Sequence, residues 1–388
     1  MVNMQYLGFD VQELAGRGAI HTAREISQQP EIWQKVWKLV EGERESIQSF
    51  LNNHKEIQRI ILTGAGTSAF IGLSLRGVFQ RQSGILTEAI STTDLVSHPK
   101  DYLKADVPTL MISFARSGNS PESVAAVNLA DKICESCYHI IITCNPKGKL
   151  ANTLTKKDRY ILTLPEEACD LSLAMTSSYT GMLLAGKLIA HINDFEGTQG
   201  SLQTIVAYGK KIINYYSQDL KQLAELDFKR AVFLGAGPFY GTATESHLKL
   251  QELTDGKVIC KRDTFLGLRH GPKAVVDEST LVIYVFSNDD YALRYEKDLV
   301  AAMKKGKAPL AELGIMESEI PNVMLENKIV FSDNGYALDE EFLTICSVVP
   351  AQILGFYKSL QLGLQPDTPS ATGAITRVVE GVEIYAMH

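Results

Sequence analysis

The chain has 388 residues, is 45% hydrophobic and 21% charged, and carries a formal net charge of -7, an ordinary globular composition long enough for two or three domains. No dense Lys/Arg block appears, which argues against a nucleic-acid or membrane-surface partner; residues 1–18 show no secretory pattern, and no apolar run approaches the roughly 20 residues of a membrane span. The six cysteines are sparse, and Cys134-Glu-Ser-Cys137 lacks a second pair, so the thiols read as ordinary ones on a helix in a reducing, cytoplasmic compartment, with no metal.

In chain order, residues 22 to 53 read as helices leading into a first α/β region. Ile60 to Thr63, Thr109 to Phe114 and His139 to Thr143 are short, mostly apolar, β-branched runs, the pattern of a parallel sheet covered on both faces. Between them Ser120 to Asp131 opens like a helix, with Ser120 as N-cap, Pro121 at the first position and Glu122 in the first turn. Met182 to Ile192 and Ser201 to Leu226 read as a helical connection, with Gly186 discordant in the first of the two.

The chain then repeats itself. Arg59-Ile-Ile-Leu-Thr-Gly64-Ala-Gly66 returns 171 residues later as Arg230-Ala-Val-Phe-Leu-Gly235-Ala-Gly237, and the same offset carries Thr109–Phe114 onto Thr280–Val285. Thr87 to Ser91 matches Lys257 to Lys261, and Arg159 to Leu164 matches Asn327 to Phe331, nearly in step; a strand near Leu310 to Met316 is poorly marked. The expected architecture is α/β, two tandem doubly wound domains, each a parallel sheet flanked by helices with ligands at the carboxyl ends of the strands. Its expected divisions are a helical lead-in at 1–50, a first domain at 51–200, a helical connection at 201–225, a second domain at 226–365 and a closing segment at 366–388.

Two loops of the first copy carry chemistry. Gly64-Ala-Gly66-Thr67-Ser68 follows a strand and enters a helix, offering hydroxyls beside a helix N-terminus. Alone it also fits a dinucleotide fingerprint, with Glu88 as the acidic residue. Arg116-Ser117-Gly118-Asn119-Ser120 adds hydroxyls, backbone N–H groups and a guanidinium, the parts of a phosphomonoester cradle. The bland alternative is a capped helix with a polar turn.

The second copy keeps Gly235-Ala-Gly237 but has no Ser-rich loop after Val285, so it reads as having lost phosphate binding. Its first helix places Glu245, Lys249 and Glu252 on one face, and Arg269-His270-Gly271-Pro272 supplies a histidine ahead of a turn. A surface salt-bridge stripe and a structural histidine are the competing readings.

These motifs resemble the SIS (sugar isomerase) domain family in its tandem form. The isomerase half of glucosamine-6-phosphate synthase is similar over about Ile57 to Glu383. The tagatose-6-phosphate ketose/aldose isomerase group, also called galactosamine-6-phosphate deaminase/isomerase, is more similar still, through Met175-Thr-Ser-Ser178, Gly267 to Lys273 and Pro366 to Gly373. The resemblance implies that Ser68, Ser117 and Ser120 bind a sugar phosphate, with donors around Arg116 and Gly118; Gly66, Thr67, Thr176 and Glu245 join them as substrate-binding candidates. It implies that Glu252 moves the proton between C1 and C2, that His270 opens the sugar ring, and that Lys249 or Arg377 stabilises the enolate. Arg116 stands where the synthase has glutamine, Ala115 replaces a phosphate-binding serine, and Arg377 replaces a lysine of its closing tail.

The expected activity is conversion of galactosamine 6-phosphate to tagatose 6-phosphate and ammonia, without metal or nicotinamide cofactor, in a homodimer. The alternatives are a ketose/aldose isomerase without deamination, a non-catalytic sugar-phosphate regulator and, more remotely, a NAD-dependent oxidoreductase.

Overall fold

The computed structural model describes residues 5–152, 158–379 and 381–387. The chain forms two compact units: one comprises Glu31–Asp170, Ser177–Leu202 and Ile375–His388, the other Met1–Pro30, Leu171–Thr176 and Gln203–Ala374. A small antiparallel pair, β1 (Gln5–Tyr6) and β2 (Phe9–Asp10), opens the chain.

The first unit holds a five-stranded parallel sheet of β3 (Arg59–Thr63), β4 (Leu86–Ala89), β5 (Thr109–Ala115), β6 (Cys137–Thr143) and β7 (Arg159–Thr163), in the order β4-β3-β5-β6-β7. Ile61, Met111 and Ile141 from three adjacent strands pack with Ala126, Val127 and Ala130 of the helix Pro121–Ile133. Two N-terminal tryptophans are tied into this unit by their indole N–H groups, Trp33 to the Thr180 hydroxyl and Trp37 to the Thr198 hydroxyl, each at 2.9 Å. Gly186 on the helix Ser177–Ala190 is discordant for a reason: a Cβ there would stand 2.5 Å from Leu75 Cδ1 and 3.1 Å from Phe114. The close approach of that helix requires its absence.

The second unit repeats the plan with β8 (Arg230–Leu234), β9 (Ile259–Asp263), β10 (Thr280–Val285), β11 (Ala311–Met316) and β12 (Asn327–Val330), in the order β9-β8-β10-β11-β12. Arg59 faces Thr109 in the first sheet and Arg230 faces Thr280 in the second, so the 171-residue repeat is also a repeat of pairing register. The expected match of Thr87 with Lys257 is corrected here. Leu86 and Ile259 hold equivalent positions beside Arg59 and Arg230, so the two edge strands are offset by a few residues from the sequence match. Edge strands have one partner only, and their register is written more weakly in the apolar pattern.

Within the second unit Asp367 caps the helix Ile20–Ser27, accepting from the N–H groups of His21 and Thr22 at 3.1 and 2.7 Å and from the Thr22 hydroxyl at 2.8 Å. The segment Glu340–Gln361 is long and apolar enough to cross a membrane by composition, and its most apolar 18-residue stretch is buried inside the protein.

Both sheets use one device at their first loop. A Cβ on Gly64 would lie 2.6 Å from the Ser68 carbonyl carbon, and one on Gly235 would lie 2.4 Å from the Phe239 carbonyl oxygen. Each glycine lets the first helical turn fold back onto the strand end. Gly235→Ala is expected to lower unfolding free energy by about 2 kcal/mol or more, because backbone rather than a mobile side chain must move. Urea denaturation reads this, and a loss under 0.5 kcal/mol, within the range of a neutral surface change, would show that the turn can relax.

Candidate active site

In the order 2-1-3-4-5 the strand direction of the winding reverses between the first and third strands, and the crevice outside their carboxyl ends is where such sheets bind ligands. In the first unit the loops leaving β3 and β5 are the two glycine- and hydroxyl-rich ones. Gly66 (φ 55°) ends the first, and Thr67 and Ser68 begin the helix Thr67–Ser83, both buried. Gly118 (φ 62°) turns the second. The loop is held from below: the Asn145 amide donates to the Ser117 carbonyl at 2.8 Å, and Leu150 N–H donates to the Gly118 carbonyl at 2.8 Å.

Ser120 occupies the N-cap position of Pro121–Ile133, but its hydroxyl donates to Glu122 Oε2 at 2.7 Å instead of accepting from the helix. Ser117 accepts from the Asn119 N–H at 3.2 Å. Neither N-cap residue, Gly66 or Ser120, caps its helix with a side chain, and the two helix N-termini of partial positive charge stand at neighbouring strand ends. Arg116 is 7% exposed, and its guanidinium donates to the Arg377 carbonyl at 2.6 Å. Burial pulls its pKa below the ordinary value, and the charge of Asp170 opposes that shift.

In the second unit the helix leaving β8, Phe239–Leu253, carries Glu245 and Lys249 fully buried and Glu252 at its open end. Lys249 Nζ lies 3.3 Å from Glu245 Oε1 and 2.6 Å from Glu252 Oε2, with Glu252 22% exposed at its side chain. A solvated salt-bridge stripe does not bury its cation, so that reading is set aside. The neighbouring His247 is held neutral, its pKa lowered to about 4 by burial first and by Arg262 and Lys249 as well. Lys249 stands as a cation beside both carboxylates. His270 is carried by another segment, after β9 and the short helix Phe265–Leu268, where its side chain is exposed and its N–H donates to the Gly267 carbonyl at 3.0 Å.

Comparison with known proteins agrees with this geometry. A model of the SIS domain matches residues 55–192. A D-galactosamine-6-phosphate deaminase of Shewanella sp. (strain ANA-3) is 42% identical over 96% of this chain and 94% of its own length.

The chain belongs to the SIS-domain family.

A crystal structure of a Clostridium novyi NT protein proposed to be a tagatose-6-phosphate ketose/aldose isomerase superposes with a TM-score of 0.94 at 40% identity, over 99% of this chain and 100% of that one. The Escherichia coli tagatose-6-phosphate ketose/aldose isomerase gives 0.85 at 34% identity, over 95% and 97%.

The two SIS sheets differ most where the phosphate loop of the first has its counterpart after β10. As expected, no Ser-rich loop follows Val285: a single serine, Ser287, stands two residues on, and the loop is acidic. Asp289 caps the helix Asp290–Met303 by accepting from Tyr291 and Ala292 N–H at 3.0 and 2.9 Å, so a built-in carboxylate holds the place of an anion. Ser287 donates its N–H to Glu296 at 2.9 Å and its hydroxyl to Glu340 at 2.5 Å. Buried Glu317 accepts from Asn288 at 2.6 Å.

Glu296, 1% exposed, has its pKa pushed up to about 8, by burial first and by the charges of Glu340 and Asp289 as well. Tyr336, which is exposed, has its pKa raised by partial desolvation first and then by the charges of Asp290, Glu317 and Glu296. A carboxyl raised on folding contributes stability that is complete below its unfolded value near 4.5 and is lost as pH rises through 8. Glu296→Gln should therefore have a Tm that gains on the native protein's from pH 6 to pH 9. A difference in Tm that is flat over that range would show that Glu296 is ionised throughout.

Of the other candidates, Thr176 is fully buried, in the short segment Leu171–Thr176 of the second unit. Arg377 lies in the first unit, where its guanidinium donates to the Asp170 carbonyl at 3.0 Å and approaches the Cys169 sulfur at 3.7 Å. Sequence reading missed Asp170. It lies seven residues before the helix it serves, and no periodicity or motif marks it. The Cys134/Cys137 pair is corrected from thiols on a helix to a turn: Cys134 ends Pro121–Ile133 and Cys137 opens β6. Beside it, His139 and Asp131 share a 2.8 Å hydrogen bond that fastens helix to strand.

Proposed function

We propose that this SIS-domain protein is an amino-sugar-phosphate deaminase/isomerase that converts galactosamine 6-phosphate and water to tagatose 6-phosphate and ammonia. The observation that carries the reading is the Glu245–Lys249–Glu252 ladder on the helix after β8, a buried cation beside a carboxylate that is partly exposed. Similarity over nearly the whole chain to a D-galactosamine-6-phosphate deaminase supports the substrate.

The roles follow from the chemistry. Gly66, Thr67, Ser68, Arg116, Ser117, Gly118 and Ser120 bind the phosphate, so that binding energy remote from the reaction orients C1 and C2. His270 transfers a proton to the ring oxygen and opens the pyranose. Glu252 removes the C2 proton, and the electron pair forms the C1–C2 double bond of an enolamine. Lys249 stabilises negative charge on the C1 oxygen; Arg377 is the second cation assigned to that work. Glu252 returns the proton at C1, giving a C2 imine, and water adds to C2 and displaces ammonia. Glu245 holds Lys249, and Thr176 joins the substrate-binding residues. The active form is a homodimer, an assignment that full activity in a strictly monomeric protein would remove.

Purified protein given galactosamine 6-phosphate should release ammonia and tagatose 6-phosphate in equal amounts. The similarity to tagatose-6-phosphate ketose/aldose isomerase structures favours a second reading, interconversion without deamination. Turnover of tagatose 6-phosphate with no ammonia from the amino sugar would select it.

A further inference from the structure

Asp170 lies at the junction of three parts of the first unit. It is fully buried, and both carboxylate oxygens are engaged by the helix Ser177–Ala190. Oδ1 accepts from the Ser177 N–H at 3.0 Å, and Oδ2 accepts from the Ser178 N–H at 3.0 Å and from the Ser178 hydroxyl. The Asp170 carbonyl accepts from Arg377 Nε at 3.0 Å, and the Arg377 carbonyl in turn accepts from Arg116. The Asp170 charge acts on Arg116, the buried cation of the anion loop.

A guanidinium held out of water needs an anion nearby when no ligand is bound. The Asp170 carboxylate is immobilised by three donors at the start of the helix Ser177–Ala190. We propose that Asp170 is a positioning residue for phosphate binding: fastened to the helix Ser177–Ala190, it seats Arg377, whose carbonyl holds the Arg116 guanidinium in place at the loop. The inference rests on the phosphate role assigned to Arg116 and names a residue outside the loop that sets its affinity.

The test compares Asp170→Asn with Ser178→Ala. Asparagine removes the charge and turns an amide donor towards a helix N–H. Alanine at 178 removes one of the same capping bonds and leaves the charge. Inorganic phosphate binding is measured by titration calorimetry, with Tm alongside and with KM and kcat for galactosamine 6-phosphate. Asp170→Asn should weaken phosphate about tenfold or more, raise KM by a similar factor and change kcat less than about threefold. Ser178→Ala should lower Tm yet bind phosphate within about twofold of the native protein. Unchanged phosphate affinity in Asp170→Asn, or losses in both variants that track their Tm, would overturn the proposal.

Should Asp170→Asn not fold, the double variant Arg116→Met, Asp170→Asn decides. It removes both charges, and it should fold and bind phosphate no worse than Arg116→Met alone. A double variant that also fails to fold would make Asp170 a helix cap and nothing more. Because the readout is inorganic phosphate, native protein that binds it without turning over the sugar would sink the proposed substrate and leave Asp170 to be judged separately.

Discussion

Glu252→Gln is expected to lower kcat for galactosamine 6-phosphate by about a thousandfold while KM moves less than about threefold, because general-base transfer is worth roughly 10²–10⁴ in rate. Glutamine keeps the length and an oxygen for Lys249 Nζ, which now sits 2.6 Å from Glu252 Oε2. What it cannot do is take a proton from carbon. Lys249 is fully buried and keeps Glu245 at 3.3 Å, so removing the Glu252 charge should also lower stability, and a Tm taken beside the kinetics separates that loss from the chemistry. Ammonia release and ketose formation should fall together, since both follow the same C2 deprotonation. A variant within tenfold of native kcat would remove Glu252 as the base.

Lys249→Met should be the most destabilising single change in the same helix. Lys249 and Glu245 are both 0% exposed, with 3.3 Å between Nζ and Oε1. Methionine matches the length of the chain but leaves a buried carboxylate without that cation, a change that costs about 3–5 kcal/mol. Urea unfolding should show this as a lower midpoint with an unchanged slope. Activity should be lost as well, beyond what the unfolded fraction explains at assay temperature. A stable Lys249→Met protein would mean that Glu245 is neutral, and Lys249 would then be a substituent of the site rather than its structural cation.

Much of the architecture was legible before any coordinates. The repeated Arg-x-x-x-x-Gly-Ala-Gly pattern and its 171-residue offset predicted two copies of one domain, and the shared register of Arg59 with Thr109 and Arg230 with Thr280 follows from it. The strand near Leu310 to Met316 was faint in sequence and is present as β11. Its middle residues are buried between neighbours, but the polar Glu312 and the small Gly314 interrupt the apolar run.

The site was legible by parts. Helical spacing put Glu245, Lys249 and Glu252 on one face, yet it could not say whether that face met solvent or core. Burial of Lys249 settled that, and burial is a property of what packs against the helix. Ser120 looked like a cap because serine before proline and glutamate is the local signature of one. Its hydroxyl bonds Glu122 instead, since a side-chain acceptor two residues on competes with the helix N–H groups.

What the sequence determined by itself was local: strand and helix periods, glycine turns, hydroxyl-rich loops and the duplication that orders them. Those signals depend on residues within a few positions of one another, and chain geometry turns them directly into structure. Only the tertiary structure decided which charges are buried and which polar groups meet. Asp170 acts on Arg116, 54 residues earlier, and receives Arg377, 207 residues later. Asp289, Glu296 and Glu340 gather around Ser287 although 53 residues separate its ends of contact. Contacts of that span depend on how sheets and helices pack in three dimensions, and desolvation acts on a side chain only once that packing exists.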